Sequence, residues 1–418
     1  MVFLLLSSGK YIDYTFTPKQ VRCSCSLTHS HYTRYVAAGE GLVSKINEAV
    51  SDVLKAGHVA LCYSQEDESV ASEAGDILVA AGYKVTRVYY ADGTEPTPDA
   101  ADDIVNLPDS VRAIIFVGDS QLCDIAKYAA VKKQCEWIYI PTTPDAANAF
   151  SPTATFGMGI GIDRIKCKPA VSAVIDDDIM RRCSGRRAAE GYGNIIGYRL
   201  KCYEYSYAVR IKGADYCLAG IRRLGAITEN FLNCDNASAA AIARASVKIG
   251  LNNQMYRLDM MCDCDAIARV IAACTDDGRS LGENMPIAAY VLAGLYRQRL
   301  GLSRFNLALP ADRVGAVNEL CKLCGNDKIA AISSLKPIYD YAKEWYLLSE
   351  YGGDIQEELD KYTSHLSRSS KVFRRLYDDA GYWLNKYGSA DKFVAIGKAV
   401  LDAKLVYSDR GVEDSAVI

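Results

Sequence analysis

Between residues 58 and 143, short runs rich in β-branched and aromatic residues alternate with segments of helical spacing, and this alternation restricts the architectures open to the chain. "HVALCYS" (58–64), "KVTRVYY" (84–90), "RAIIFVGD" (112–119) and "EWIYIPTT" (136–143) read as buried strands. Between the first two, "EDESVASEAGDILVAAG" (66–82) has apolar residues at helical spacing and ends on Gly82, which suits a helix C-cap. Strands joined through helices of about 10 to 15 residues form parallel βαβ units, which build an open sheet covered on both faces. Such sheets take ligands beyond the carboxyl ends of their strands. From about residue 177 the β signal stops, and amphipathic helical patterns punctuated by Gly and Pro follow. The expected architecture is α/β plus all-α. An open parallel-sheet domain of nucleotide-binding type (1–176) precedes a helical domain (177–418), and the cleft between them is the default site. "MVFLLL" at the start is too short for a spanning helix or a signal-peptide core and reads as a first buried strand.

Half the residues are hydrophobic and the formal charge is -3, with no long run of Lys or Arg. Nucleic acid and an anionic membrane surface are therefore not the expected partners, and a small molecule is. The 15 cysteines are an odd number spread along the chain, which fits thiols in a reducing compartment and hence the cytoplasm. "YRLKCYEYSYAV" (198–209) is amphipathic and Tyr-rich, as expected of a cleft wall or a homo-oligomer interface. In "THSHY", His29 and His31 fall on one face of a strand, a pairing commoner on packed or solvated surfaces than in ligand sets.

The turn after the third strand is where a phosphate would be held. A Gly-rich strand-to-helix turn lets backbone N–H groups approach a pyrophosphate, and the helix N-terminus adds partial positive charge. Here the turn reads Gly118-Asp119-Ser120. A carboxylate aimed at a diphosphate repels it by about 1 to 4 kcal/mol at contact. Asp119 either opposes a nucleotide or, with Ser120, caps the helix of an ordinary βα turn.

Taken in order, Asp124, Ala126 and Lys127 (D-x-A-K), Pro141-Thr142, "SPTA" (151–154), "AAEGYGN" (188–194) and "SLGEN" (280–284) carry a resemblance. They are similar to the signatures of the superfamily of dehydroquinate synthases, iron-type alcohol dehydrogenases and glycerol dehydrogenases, and within it most resemble the sn-glycerol-1-phosphate dehydrogenases. The likeness runs through most of the chain from about residue 58. It implies a dehydroquinate synthase-like fold and NAD(P)-dependent oxidation of a polyol or reduction of a sugar phosphate. It also implies that Gly118, Asp119, Ser120, Asp124 and Lys127 hold NAD or NADP, with hydroxyls from Thr142, Thr143 and Ser151 near the nicotinamide or ribose.

The resemblance further implies a zinc or ferrous ion held by one carboxylate and two histidines of the helical domain. In this chain the corresponding positions carry Asn194, then Asp263-Cys264, then Leu281 followed by Gly282 and Glu283. An amide, a thiol and an aliphatic side chain do not make a three-donor catalytic site. The family's acidic residue in the loop after "PTT" is replaced by Ala147. The expectation is a cleft without its metal, in which Asn194, Cys264 and Glu283 line the substrate pocket. A catalytically silent paralogue that binds a ligand or regulates is the other expectation. In "LDMMCDCDAIARVI" (258–271), Asp259, Asp263 and Asp265 read as dipole and cap partners of a helix start. Cys262 and Cys264 with Cys321 and Cys324 read as core thiols before a four-thiolate site.

Overall fold

The computed structural model describes residues 11–15, 23, 25, 28–156, 163–212, 216–234, 238–259, 262–275 and 280–289, together with residues 291, 318, 322 and 395. The expected strand at "MVFLLL" and the pair Cys321 and Cys324 lie outside them.

Nine strands and nine α-helices frame the described residues. The strands are β1 (Tyr11–Thr15), β2 (Tyr35–Gly39), β3 (His58–Ser64), β4 (Lys84–Tyr90), β5 (Val111–Gly118), β6 (Glu136–Pro141), β7 (Thr153–Phe156), β8 (Asp163–Lys166) and β9 (Ser172–Asp176). The helices are α1 (Ile46–Ser51), α2 (Glu68–Ala80), α3 (Pro98–Val105), α4 (Cys123–Lys132), α5 (Asp177–Arg182), α6 (Gly185–Lys212), α7 (Leu218–Leu232), α8 (Ala239–Tyr256) and α9 (Asp263–Thr275). A further helical turn system covers 281–289.

One seven-stranded sheet runs in the order β1-β2-β9-β6-β5-β3-β4, and β7 and β8 form a separate hairpin. Every pairing in the large sheet is parallel except β1 on β2, so six strands are parallel and the antiparallel strand lies at the edge. The parallel strands are covered by helices on both faces, which explains their continuous apolar runs. Val59, Leu61, Ile114, Phe116, Trp137 and Ile138 are fully buried. The chain places β4 on one side of β3 and β5 on the other. The sheet therefore changes direction between β3 and β5, and a crevice opens beyond their carboxyl ends.

After Asp176 the described structure is helical. Asp176 caps α5 by accepting from the Asp178 N–H at 2.8 Å, and Ser238 caps α8 by accepting from the Ala241 N–H at 3.3 Å. α8 joins the helical layer to the sheet layer: Ala243, Val247 and Leu251 belong to the sheet core, while Ile242, Ala245 and Ile249 belong to the helical core. Close approach here depends on glycine. A Cβ on Gly250 of α8 would stand 2.7 Å from the Ala147 carbonyl, and one on Gly193 of α6 would stand 2.0 Å from the Gly282 carbonyl.

A buried ion pair anchors the floor of the cleft. Lys127 of α4, fully buried, bonds Asp124 Oδ1 at 2.7 Å, Asn148 Oδ1 at 2.9 Å and the Thr153 carbonyl at 3.0 Å. Asp124 Oδ2 in turn accepts the Thr155 N–H at 3.0 Å. These bonds clamp α4 to the 147–150 turn and to β7, and they take up the three donors of the ammonium. Truncating Lys127 leaves a buried carboxylate without its countercharge, so Lys127→Met is expected to lower stability by about 3 to 5 kcal/mol. Urea unfolding of the variant beside the parent measures this, and an unchanged midpoint would contradict the clamp.

Candidate functional site

At the crevice, carboxylates occupy the crest of the sheet. Asp119, half-buried, turns back on its own turn, and its Oδ1 accepts the N–H groups of Gln121 and Leu122, each at 2.8 Å. These are the groups at the head of α4 that an anion would use, so the chain's own carboxylate stands in the anion position. Asp67, at the end of β3, is buried and accepts from Ser64 Oγ at 2.6 Å. Burial raises its carboxyl above the usual range, with Asp119 adding to the rise. Gly118 lies between them, and a Cβ there would come within 2.9 Å of the Phe116 ring and 3.3 Å of Asp67 Oδ2.

The cleft proper is a cavity of about 240 Å³ between the sheet crest and the helical layer. Its central carboxylate is Asp145. Asp145 Oδ2 accepts from Ser120 Oγ at 2.9 Å and from Asn194 Nδ2 at 2.8 Å, and Oδ1 accepts from Ser246 Oγ at 3.2 Å. Ser246 Oγ is itself fixed, because it accepts the N–H groups of Ala146 and Ala147, each at 2.9 Å. Burial pushes the Asp145 carboxyl up despite these donors.

α6 supplies the opposite wall. Asn194, Tyr198, Lys201 and Tyr205 recur at helical spacing and all line the cavity. Lys201 Nζ bonds Asp265 Oδ2 at 2.9 Å and lies 4.7 Å from the centre of the Tyr198 ring. Burial acts to lower the Lys201 ammonium, but the Asp265 carboxylate outweighs it and holds the group above its ordinary value. Asp265 also accepts the Cys262 N–H at 3.0 Å at the head of α9. One turn further along α9, Arg269 faces the cavity, and its buried Nε has no hydrogen-bond partner. Arg164 bonds Asp259 Oδ2 at 2.7 Å on the sheet side.

Residues 37–184 match the family described as iron-containing alcohol dehydrogenase. The chain is 25% identical over 189 residues to a glycerol-1-phosphate dehydrogenase (NAD(P)+) of Methanothrix thermoacetophila, covering 44% of this chain and 52% of that protein. It is 30% identical over 135 residues to one of Sulfolobus acidocaldarius, covering 32% and 37%. The matched stretch thus spans about half the length of such curated relatives, or less. Among solved structures, a glycerol dehydrogenase from Schizosaccharomyces pombe superposes with a TM-score of 0.55 at 15% identity, covering 82% of this chain and 94% of that one. An NADH-dependent butanol dehydrogenase from Thermotoga maritima gives 0.51 at 14% identity, covering 92% and 99%. The likeness to the iron-containing alcohol dehydrogenase family thus covers residues 37–184, and the fold is that of the solved dehydrogenases on which the chain superposes.

For the divalent metal that the resemblance implies, the donors in this chain's cleft do not fit. Asn194 offers only a neutral amide oxygen, while its Nδ2 donates to Asp145. Cys264 is buried, its Sγ 3.9 Å from the Gly197 carbonyl, and does not line the cavity. Asp265, the next residue, lines it but faces the Lys201 ammonium. Leu281 lines it with carbon alone. Among the described residues, the group of three or more convergent His, Cys, Asp or Glu atoms lies elsewhere.

The remaining site residues fall into two sets. Ser120 and Ser151 line the cavity, with Ser151 Oγ 2.9 Å from Thr153 Oγ1 and 3.3 Å from Asp259 Oδ1. Thr142 and Thr143 are buried beside them at the end of β6. Glu283 does not line the cavity: it accepts the Ser280 N–H at 2.8 Å while Ser280 Oγ accepts the Glu283 N–H at 3.3 Å, a reciprocal capping box, and it pairs twice with Arg186. "S-L-G-E" carries that signature in the sequence. Asp145, Glu190, Lys201, Asp265 and Arg269 were not anticipated, although the 190-194-198-201-205 spacing on α6 was legible.

Glu190 lies one turn before Asn194, and burial raises its carboxyl to about 7, with Asp145 reinforcing the shift. Its folded-state pKa exceeds the ordinary 4.5, so the native chain binds the extra proton between those values. Stability therefore falls as pH rises through that window. Glu190→Gln is expected to flatten the fall and to raise stability at pH 8 by about 1 to 3 kcal/mol. Thermal melts from pH 4 to 8 check it, and parallel curves for variant and parent would refute it.

Proposed function

We propose that this chain is a diverged glycerol-1-phosphate dehydrogenase-like protein whose cleft takes a small phosphorylated polyol, with metal-dependent hydride transfer weakened or lost. The observation that carries the reading is the Lys201–Asp265 ion pair facing Asp145 and Asn194 in the cleft. A fixed ammonium supplies positive charge there without a metal, and it repels a dication by the same Coulomb term. Arg269, with its unpartnered Nε, gives an anionic ligand a second cation to reach. Asp145, held by Ser120, Ser246 and Asn194, orients ligand hydroxyls on the other side. The division into a sheet domain (1–176) and a helical domain (177–418) accounts for where this cleft lies. The many thiols fit a cytoplasmic setting. Reduction of dihydroxyacetone phosphate, followed with NADH and NADPH under added zinc, nickel or iron, tests the reading. Background rates in every metal are expected, and robust metal-dependent turnover overturns it.

A catalytically silent paralogue that keeps the cleft as a binding or regulatory module is favoured by one further observation, the Asp119 carboxylate seated on the N–H groups at the head of α4. Removing it frees that anion position. Asp119→Ala is expected to cost about 1 kcal/mol of stability through the lost cap. It is also expected to tighten NAD(H) or NADP(H) binding by roughly fivefold to nearly a thousandfold, the equivalent of about 1 to 4 kcal/mol of relieved repulsion. Calorimetry on both proteins measures the change. Equal nucleotide affinity in the two would show that Asp119 does not exclude the nucleotide.

A further inference from the structure

Three cysteines and a histidine from distant parts of the chain meet away from the cleft. Cys23 and Cys25 come from the segment before β2, His29 forms an isolated β-bridge in the same segment, and Cys217 immediately precedes α7. Their Sγ atoms and a ring nitrogen all lie within 4.8 Å of one another. Cys23 Sγ is 3.5 Å from Cys217 Sγ, and Cys25 Sγ is 3.0 Å from His29 Nε2. A tetrahedral zinc with Zn–S near 2.3 Å and Zn–N near 2.0 Å separates its ligand atoms by about 3.6 to 3.8 Å. The spacing observed, at most 4.8 Å, comes to those values once the longer pairs move inward.

The histidine is also oriented for the purpose. His29 Nδ1 lies 3.3 Å from the Met255 carbonyl at the end of α8, so the proton belongs on Nδ1 and the Nε2 lone pair faces the sulfurs. The Tyr256 ring packs on the imidazole at 4.7 Å between centroids and restrains its rotation. His29 and Cys217 are buried, and Cys23 and Cys25 are half-buried, so four protein donors surround the point with no position left open for a substrate. Closed sets of this kind are structural, and soft thiolate donors with one imidazole select zinc.

We propose that Cys23, Cys25, His29 and Cys217 bind a structural zinc ion, which fastens the segment before β2 to α7 and to the end of α8. Binding requires loss of the three thiol protons and leaves a site of net single negative charge. The ion is separate from the cleft and independent of the function proposed for it, since none of its ligands lines that cavity.

Metal analysis of the full chain, purified without added metal under reducing conditions and dialysed against a weak chelator, tests the site. About one zinc per chain is expected, lost in His29→Ala and in Cys25→Ser and retained in Glu190→Gln. Replacement by cobalt(II) in the parent chain is expected to give tetrahedral visible bands with thiolate-to-cobalt charge transfer in the near ultraviolet. That spectrum decides the matter even where a variant fails to fold. Absence of zinc and of the charge-transfer bands, unchanged zinc in both ligand variants, or a Cys23–Cys217 disulfide in peptide mapping of the reduced-purified protein would each overturn the proposal.

Discussion

The arrangement of this molecule turns on one carboxylate that donors from three elements hold in place. Asp145 is held by Ser120 from the head of α4, by Asn194 from α6 and by Ser246 from α8. It therefore fastens the sheet crest to two helices of the other layer. Burial raises its carboxyl, so it stays in place only because its lone pairs are met by donors from each wall. The same bonds commit the Asn194 amide to a protein partner. The cleft therefore carries the Asp145–Asn194 contact beside a separate ammonium–carboxylate pair, Lys201 with Asp265.

Charge compensation follows one pattern at both ends of the site. At the crest, the partial positive charge at the head of α4 is met by Asp119 of the chain itself. In the helical wall, Lys201 and Asp265 neutralise each other, and Arg164 and Asp259 do so on the sheet side. The buried Arg269 Nε in the cavity lining is left without a partner. At both places the chain's own carboxylates answer its own donors within an unchanged backbone frame, which is how fold and function can separate.

Much of the sheet could be read from the chain. β3 and β4 fall on the expected runs residue for residue, β5 and β6 within one or two residues at their ends, and Gly82 takes the positive φ of 90° expected of a C-cap. β2, β7, β8 and β9 escaped notice because each is five residues or fewer and two form a hairpin whose pairing is local. The polar site was less legible. The loop after β6 was aligned by motif, which drew attention to Ala147, whereas the 147–150 turn aims the carboxylate of Asp145 into the cleft. At the head of α9, Cys264 points into the core and its neighbour Asp265 toward the cavity, a rotation of one residue that periodicity alone could not phase.

By itself the sequence determined the parallel sheet, the helical layer after Asp176 and the superfamily likeness, because these rest on apolar periodicity and on short motifs whose information is local. The tertiary structure alone decided which polar groups meet. Asp145 finds Asn194 across 49 positions, and Cys23 finds Cys217 across 194. Such contacts depend on how helices cross and where glycines allow close approach, and no local pattern encodes them. For the same reason the chain alone does not place Asp119, whose Oδ1 in the folded turn accepts the N–H groups of Gln121 and Leu122 just before α4.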